Sequence, residues 1–220
     1  MATKLGQTSV VFPGGSEQTA KYDSSDDRGE LISIATFTSD GTWTMPAGTR
    51  SIRVMMVGGG GGGSGHGQSG GAGGFSEKRI DTSSWSAGQT VSVTIGGDGG
   101  GAHSNNGGGQ GGTTSFGGYC SASGGRGANQ DWGHCGGHGG VGSGGDINLR
   151  GGGGSGHDNR GGRGGASFFG GSKFSGWPNH HFSHQHEGHV PPGAGGCGEH
   201  VNHSRGAQGA RGVCIIYSYK

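Results

Sequence analysis

Arg160-Gly-Gly-Arg-Gly-Gly-Ala166 puts a side chain at every third position, and Phe169 continues the spacing. The same period recurs in Gly206-Ala-Gln-Gly-Ala-Arg-Gly212. Gly-Gly-X triplets also fill Gly108-Gly-Gln-Gly-Gly-Thr113, Gly124-Gly-Arg126 and Gly136-Gly-His-Gly-Gly-Val141, and Gly70-Gly-Ala-Gly-Gly-Phe75 introduces them. Period three is the mark of an extended left-handed helix with three residues per turn. Such a helix makes no hydrogen bonds within itself, so its buried N–H and C=O groups must pair with neighbouring helices. Glycine permits that approach because no Cβ holds adjacent backbones apart. Ordering each residue costs about 1–2 kcal/mol, and a backbone hydrogen bond returns only about 0.5–1.5 kcal/mol. The repeat therefore predicts several helices stacked in layers with nearly every amide paired, in preference to a flexible linker.

Outward from the glycine runs, the pattern changes to strands. Leu31–Thr38 and Arg50–Val57 alternate, with Ile52, Val54 and Met56 on one face. Phe75–Ile80 and Gln89–Ile95 read as two more, the latter turning Val91, Val93 and Ile95 one way. Ser39-Asp-Gly41 and Pro46-Ala-Gly48 punctuate the run as turns. Gly212–Tyr219 is a fifth strand. A lone strand leaves backbone groups unpaired, so this one is expected to return to the early sheet. The reading divides the chain into an attachment or oligomerisation segment over 1–30, a β scaffold over 31–95 completed by 212–220, and a layered glycine-rich insertion over 96–211. The expected class is all-β with almost no α-helix.

Composition narrows the function. Glycine takes 62 of 220 positions, and Leu, Ile, Val and Phe together take 29, roughly 13% and below the 20% of ordinary globular chains. A large hydrophobic core is excluded for most of the length. Five prolines and irregular glycine spacing exclude collagen. The formal net charge of +1 argues against recruitment of nucleic acid, and the scattered Arg-Gly-Gly pieces offer little counterion release. No apolar run reaches the length of a membrane span, so no insertion is expected. The start, Met-Ala-Thr-Lys-Leu-Gly-Gln, lacks a signal peptide's apolar stretch, which predicts no export by the common secretory route. Cys120, Cys135, Cys197 and Cys214 contain no C-x-x-C pair, and their three possible pairings stay open beside free thiols. Phosphate-loop, nucleophile-elbow and paired-carboxylate patterns are missing or are noise of composition, so the chain reads as a non-enzyme with no cofactor.

Thr42-Trp-Thr-Met-Pro-Ala-Gly-Thr49 and the strand ending in Val57-Gly-Gly-Gly-Gly61 resemble the glycine-rich tip domain of bacteriophage tail fibres. Gly109–Gly117, Gly145–Gly152, Gly164–Gly171 and the closing Gly209-Ala-Arg-Gly-Val-Cys-Ile-Ile-Tyr-Ser-Tyr219 extend the likeness over roughly residues 31–220. The resemblance implies a small β domain bearing a sandwich of polyglycine-II helices. It also implies variable distal loops that bind a bacterial surface receptor, either an outer-membrane protein or a polysaccharide. The expected place is the distal end of a virion's tail fibre, after synthesis in the host cytoplasm. The partner would be the fibre shaft or another virion protein, with a homotrimer as one arrangement. Val10, Val11 and Phe12 are the expected attachment residues.

Ser172–Gly193 is the longest break in the glycine pattern, and holds Phe174, Trp177, Asn179, His180, His181, Phe182, His184, His186 and His189. Aromatic rings with polar edges offer apolar faces to stack and N–H groups to bond, which suits a receptor. Shorter islands are expected near it: Ser64–Ser69, Ala102–Asn106, Asn129–His134 and Ser155–Arg160. Asn129, Asp131, Trp132 and His134, then His157, Asp158 and Asn159, supply the polar and aromatic mixture of a binding surface. No metal is assigned; His184-x-His186 is the alternative, because its spacing places two imidazoles on one face of a strand.

Overall fold

A computed structural model describes residues 10–11, 17–18, 29–103, 106–129, 136–156, 161–172, 190–199 and 205–220. These are all-β, without a helix. β1 (Val10–Val11) and β2 (Glu17–Gln18) form an antiparallel pair. The body follows with β3 (Leu31–Phe37), β4 (Gly41–Thr44), β5 (Ser51–Val57), β6 (Phe75–Asp81) and β7 (Thr90–Thr94). Then come β8 (Thr114–Phe116), β9 (Cys120–Ala122), β10 (Gly142–Ser143), β11 (Ile147–Leu149) and β12 (Val213–Tyr219).

Two five-stranded antiparallel sheets result, ordered β11-β6-β5-β12-β3 and β10-β9-β8-β7-β4. β12 does return to the early strands, and it lies between β5 and β3, with Ile216 opposite Val54 on one side and Ala35 on the other. The expectation of one sheet fails at β7. Its buried Val91 and Val93 belong to the second sheet, where Trp43 of β4 pairs opposite Val91. Burial explains the split. Ile52, Val54 and Met56 need an apolar layer opposite, and the β7 face with Trp43 and Phe116 supplies it. Trp43 meets Phe116 edge-on, with ring centroids 5.8 Å apart. The insertion after residue 95 therefore leaves from one sheet and ends in the other.

Between the sheets' strands run the glycine segments, and their hydrogen bonds repeat every third residue. In segment 58–64, Gly58 and Gly61 donate to Gly74 and Gly71, Gly59 and Gly62 to Gly112 and Gly109, and Gly60 and Gly63 to Ala210 and Ala207. The carbonyls of the same segment accept from Gly99 and Ala102, from Gly125 and Ala128, and from Gly196. Segment 58–64 thus has six neighbours: 68–74, 106–112, 206–212, 96–102, 123–129 and 193–198. Segment 68–74 is enclosed in the same way by 58–64, 123–129, 136–140, 151–155, 162–166 and 193–198. This is hexagonal packing of three-residue-per-turn helices, the pattern of polyglycine II.

The bonds sort the segments into three layers. The outer one holds 106–112, 123–129 and 136–140, and the middle one holds 96–102, 58–64, 68–74 and 151–155. The third holds 206–212, 193–198 and 162–166. At Gly60 and Gly61 of the middle layer only glycine fits. A Cβ on Gly60 would run into the Ala194 carbonyl, and one on Gly61 into that of Arg126. Thr114 ties the lattice to the sheets, its hydroxyl donating to Val57 O at 2.8 Å and accepting from Gly96 N–H at 3.0 Å.

Candidate functional site

The register of the lattice gives it two ends. Residues 58, 74, 96, 112, 123, 151 and 212 adjoin strands, so the opposite ends of those segments carry the turns away from the sheets. Ser64 and Gln68 close the central turn: their backbones pair at 2.8 Å, and Ser64 Oγ donates to Gln68 Oε1 at 2.7 Å. Both side chains are buried, and Gly67 takes a φ of 92° to complete the reversal. Next to it Glu199 N–H donates to Ser64 O, and Gly198 N–H to Ser69 Oγ at 2.9 Å. His103 bridges Arg205, whose Nε donates to Gly101 O at 2.9 Å. Ser155 and Arg163 close a further stem, with Arg163 N–H donating to Ser155 Oγ at 2.7 Å.

Four of the predicted islands are therefore rooted at one end. Asn129 is exposed at the tip of its segment. Asp131, Trp132, His134, His157, Asp158 and Asn159 lie outside the described residues, but the stems that carry them end beside Ser64 and Gln68.

The long aromatic and histidine segment is rooted elsewhere. Ala166 accepts from Gly152, and Gly193 accepts from Gly73, both beside the strands. Between these points Ser167 bridges Gly170 and bonds through its hydroxyl to Pro192 O. Phe168 stacks on Phe75 at 3.6 Å between centroids, with Phe169 edge-on to both rings. Ser172 and Val190 consequently emerge at the sheet end, opposite the other stems. The pass 161–166 separates residue 156 from residue 172, so these two described residues lie at opposite ends of the lattice. Phe174, Trp177, Asn179, His180, His181, Phe182, His184, His186 and His189 lie outside the described residues. The same holds for Phe12, whereas Val10 and Val11 form β1. Among the described residues, no group of three or more His, Cys, Asp or Glu is arranged to hold a metal.

Sequence reasoning missed a groove of about 420 Å³ on the outer layer, lined among others by Gln110, Ser123, Arg126, His138, Val141 and Arg150. Neighbouring backbones align these residues. Gly111 N–H donates to Gly125 O, Arg126 N–H to His138 O, and Val141 bridges Arg150. The available signal was the X position of the Gly-Gly-X triplets, which reads as spacing until the layer order is known.

Burial sets the thiol chemistry of the core. Desolvation pushes Cys120 up to about 11 and Cys214 up to about 12. Both are protonated at neutral pH and are poor nucleophiles.

No curated protein matches the chain. The glycine-rich domain family matches residues 35–219, which take in the end of β3, the strands from β4 to β12 and every layer of the lattice, and the chain belongs to that family.

Proposed function

We propose that the protein is a tip adhesin of a bacteriophage tail fibre, non-enzymatic and without a cofactor, that recognises a bacterial surface receptor. The observation that carries this reading is the division of labour in the lattice. Its stems are fixed by backbone bonds to as many as six neighbours, while the sequences between them are polar, aromatic and irregular. A rigid scaffold presenting loops is how surfaces of recognition are commonly built. The phage context comes from the motifs quoted above, and the stem geometry agrees with loops collected at an end remote from the strands. Asn129, Asp131, Trp132, His134, His157, Asp158 and Asn159 form the principal candidate surface. The residues from Phe174 to His189 form a second one, rooted at the sheet end. Attachment falls to residues 1–30, with Val10, Val11 and Phe12 against the fibre shaft or another copy, and the place of action is the virion.

Adsorption of purified virions to host cells tests the reading when measured beside the melting of the same variant. Asp131→Ala with Trp132→Ala, and separately Trp177→Ala with Phe182→Ala, remove aromatic and polar side chains from the segments that interrupt the glycine pattern. At least one pair should lower adsorption about thirtyfold or more with melting unchanged, the loss expected of an interfacial anchor. Normal adsorption by both pairs together, on correctly assembled particles, overturns binding through these segments. A lower melting point with normal adsorption would instead make the chain a structural cap of the fibre.

A further inference from the structure

We propose that the groove on the outer layer is a subsite for an acidic sugar, a pyranose bearing a carboxylate or a phosphate ester, within a surface polysaccharide. The location on a polysaccharide rests on the adhesin reading; the acidic-sugar chemistry is drawn from the groove itself.

The first observation is charge. Arg126 and Arg150 line the groove and are exposed, and among the described residues neither pairs with a carboxylate. Among the described residues no Asp or Glu lines it. Elsewhere the protein does neutralise guanidinium groups: Arg53 holds Glu77 through two bonds of 2.7 and 3.0 Å, and Arg211 lies 3.6 Å from Asp98. Two unneutralised guanidiniums facing one concavity call for an anion, and their planar forks suit a carboxylate or phosphate.

The second observation is the backbone of the walls. In the outer layer, period-three bonding uses two faces of each helix and leaves a third. Gly125 and Ala128 bond inward, Ser123 and Arg126 sideways, and Gly124 bonds to nothing among the described residues. Gln110 and Gly139 stand at the equivalent places, so N–H donors with no acceptor among the described residues border the same groove. Gly124 and Gly139 line the groove with backbone alone, Gly139 half-buried and Gly124 buried. Sugar hydroxyls both donate and accept, so a saccharide can engage this backbone while its acid engages the arginines. Gln110 and His138 add side-chain donors and acceptors along the row. About 420 Å³ is the size of a small-ligand cleft, enough for a short saccharide and too limited for a folded partner.

A phosphodiester chain is the competing occupant. It would need a longer basic stripe, and the net charge of +1 does not supply one.

Calorimetric titration of the full chain tests this with four probes: a glucuronate-containing oligosaccharide, a neutral glucose oligosaccharide of equal length, inorganic phosphate, and a short single-stranded RNA. The acidic oligosaccharide should bind at least tenfold more tightly than the other three. Arg126→Ala with Arg150→Ala should weaken it tenfold or more, leave the neutral sugar unchanged and leave melting unchanged, both side chains being exposed. Arg126→Lys with Arg150→Lys keeps the charge but loses the fork, and should fall between. Equal binding of neutral and acidic sugars, equal binding of phosphate alone, tighter binding of RNA, no binding by the acidic probe, or indifference to the double substitution overturns the proposal. Trp132→Ala should leave the titration unchanged, and adsorption that survives the arginine substitutions would remove the groove's part in recognition without touching the loops.

Discussion

The Gly61 amide lies 2.9 Å from the Gly71 carbonyl, at the middle of the hairpin that fills the centre of the lattice. Neither position has room for a side chain. A methyl group on Gly61 would meet the backbone of Arg126, which is itself bonded to Gly71 and His138 and so cannot withdraw alone. Gly61→Ala should therefore destabilise by about 3 kcal/mol or more, reversing the usual benefit of alanine over glycine. Gly100→Ala is the control, since nothing lies within 4 Å of its Cβ, and it should change stability by no more than about 0.5 kcal/mol. Thermal denaturation of the two variants checks the contrast, and similar melting points would refute close packing at Gly61.

Hydrogen exchange should carry the lattice period. Amides 58–63 and 69–74 all have acceptors and should exchange slowly, at rates set by opening of the whole body. In the outer layer, Gln110, Gly124 and Gly139 should exchange quickly between protected neighbours such as Gly111, Gly125 and Gly140. Residue-resolved exchange by NMR reads this directly. Uniformly fast exchange across 106–140 would contradict the layer.

Thr114 joins sheet and lattice with one hydroxyl. Thr114→Val keeps the shape but strands the Gly96 amide and deprives the Val57 carbonyl of a donor. Loss of a buried bond with a partner left unsatisfied costs about 1–3 kcal/mol. Chemical denaturation should show a fall of that size, with Thr114→Ser losing less because it retains the hydroxyl.

Alkaline pH should weaken the fold through its thiols. Cys120 and Cys214 are raised to about 11 and about 12, above the ordinary value of 9.0, so between those limits the unfolded chain has released protons that the folded chain retains. Stability contributed by the neutral thiols is then complete below pH 9 and is lost as pH rises through 11 to 12. Cys120→Ala with Cys214→Ala should flatten the decline in melting temperature over that interval. An identical slope in the variant would show that the thiols are not responsible.

The lattice was legible in Arg160–Ala166 and its relatives because a three-residue repeat has few other physical solutions. The long strands were legible too: Ile52, Val54 and Met56 alternate over enough residues to define a face. The second sheet was not. Thr114–Phe116 and Cys120–Ala122 are three residues each, set among glycines, and too short to show a period. Without them β7 had no visible partners beyond the early strands. The end at which residues 172 and 190 leave the lattice was also hidden, since it depends on whether an odd or even number of passes precedes them. For Arg126 and His138, adjacency follows from a bond between segments, and spacing along one segment says nothing of it.

The unused third face of the outer layer has one more implication, for solubility. A hexagonal array with open donors is a growth face, as an unpaired sheet edge is, and another glycine-rich helix would complete it. Gln110, Arg126 and His138 stand on that face as bulky posts at intervals where an added layer would need bare backbone. Two hydrated guanidiniums, with no carboxylate beside them among the described residues of the groove, also make two such faces repel one another. The residues that interrupt the glycines thus act as guards against crystallisation of one molecule upon the next, and the purity of the buried segments is tolerable only because the exposed ones are impure.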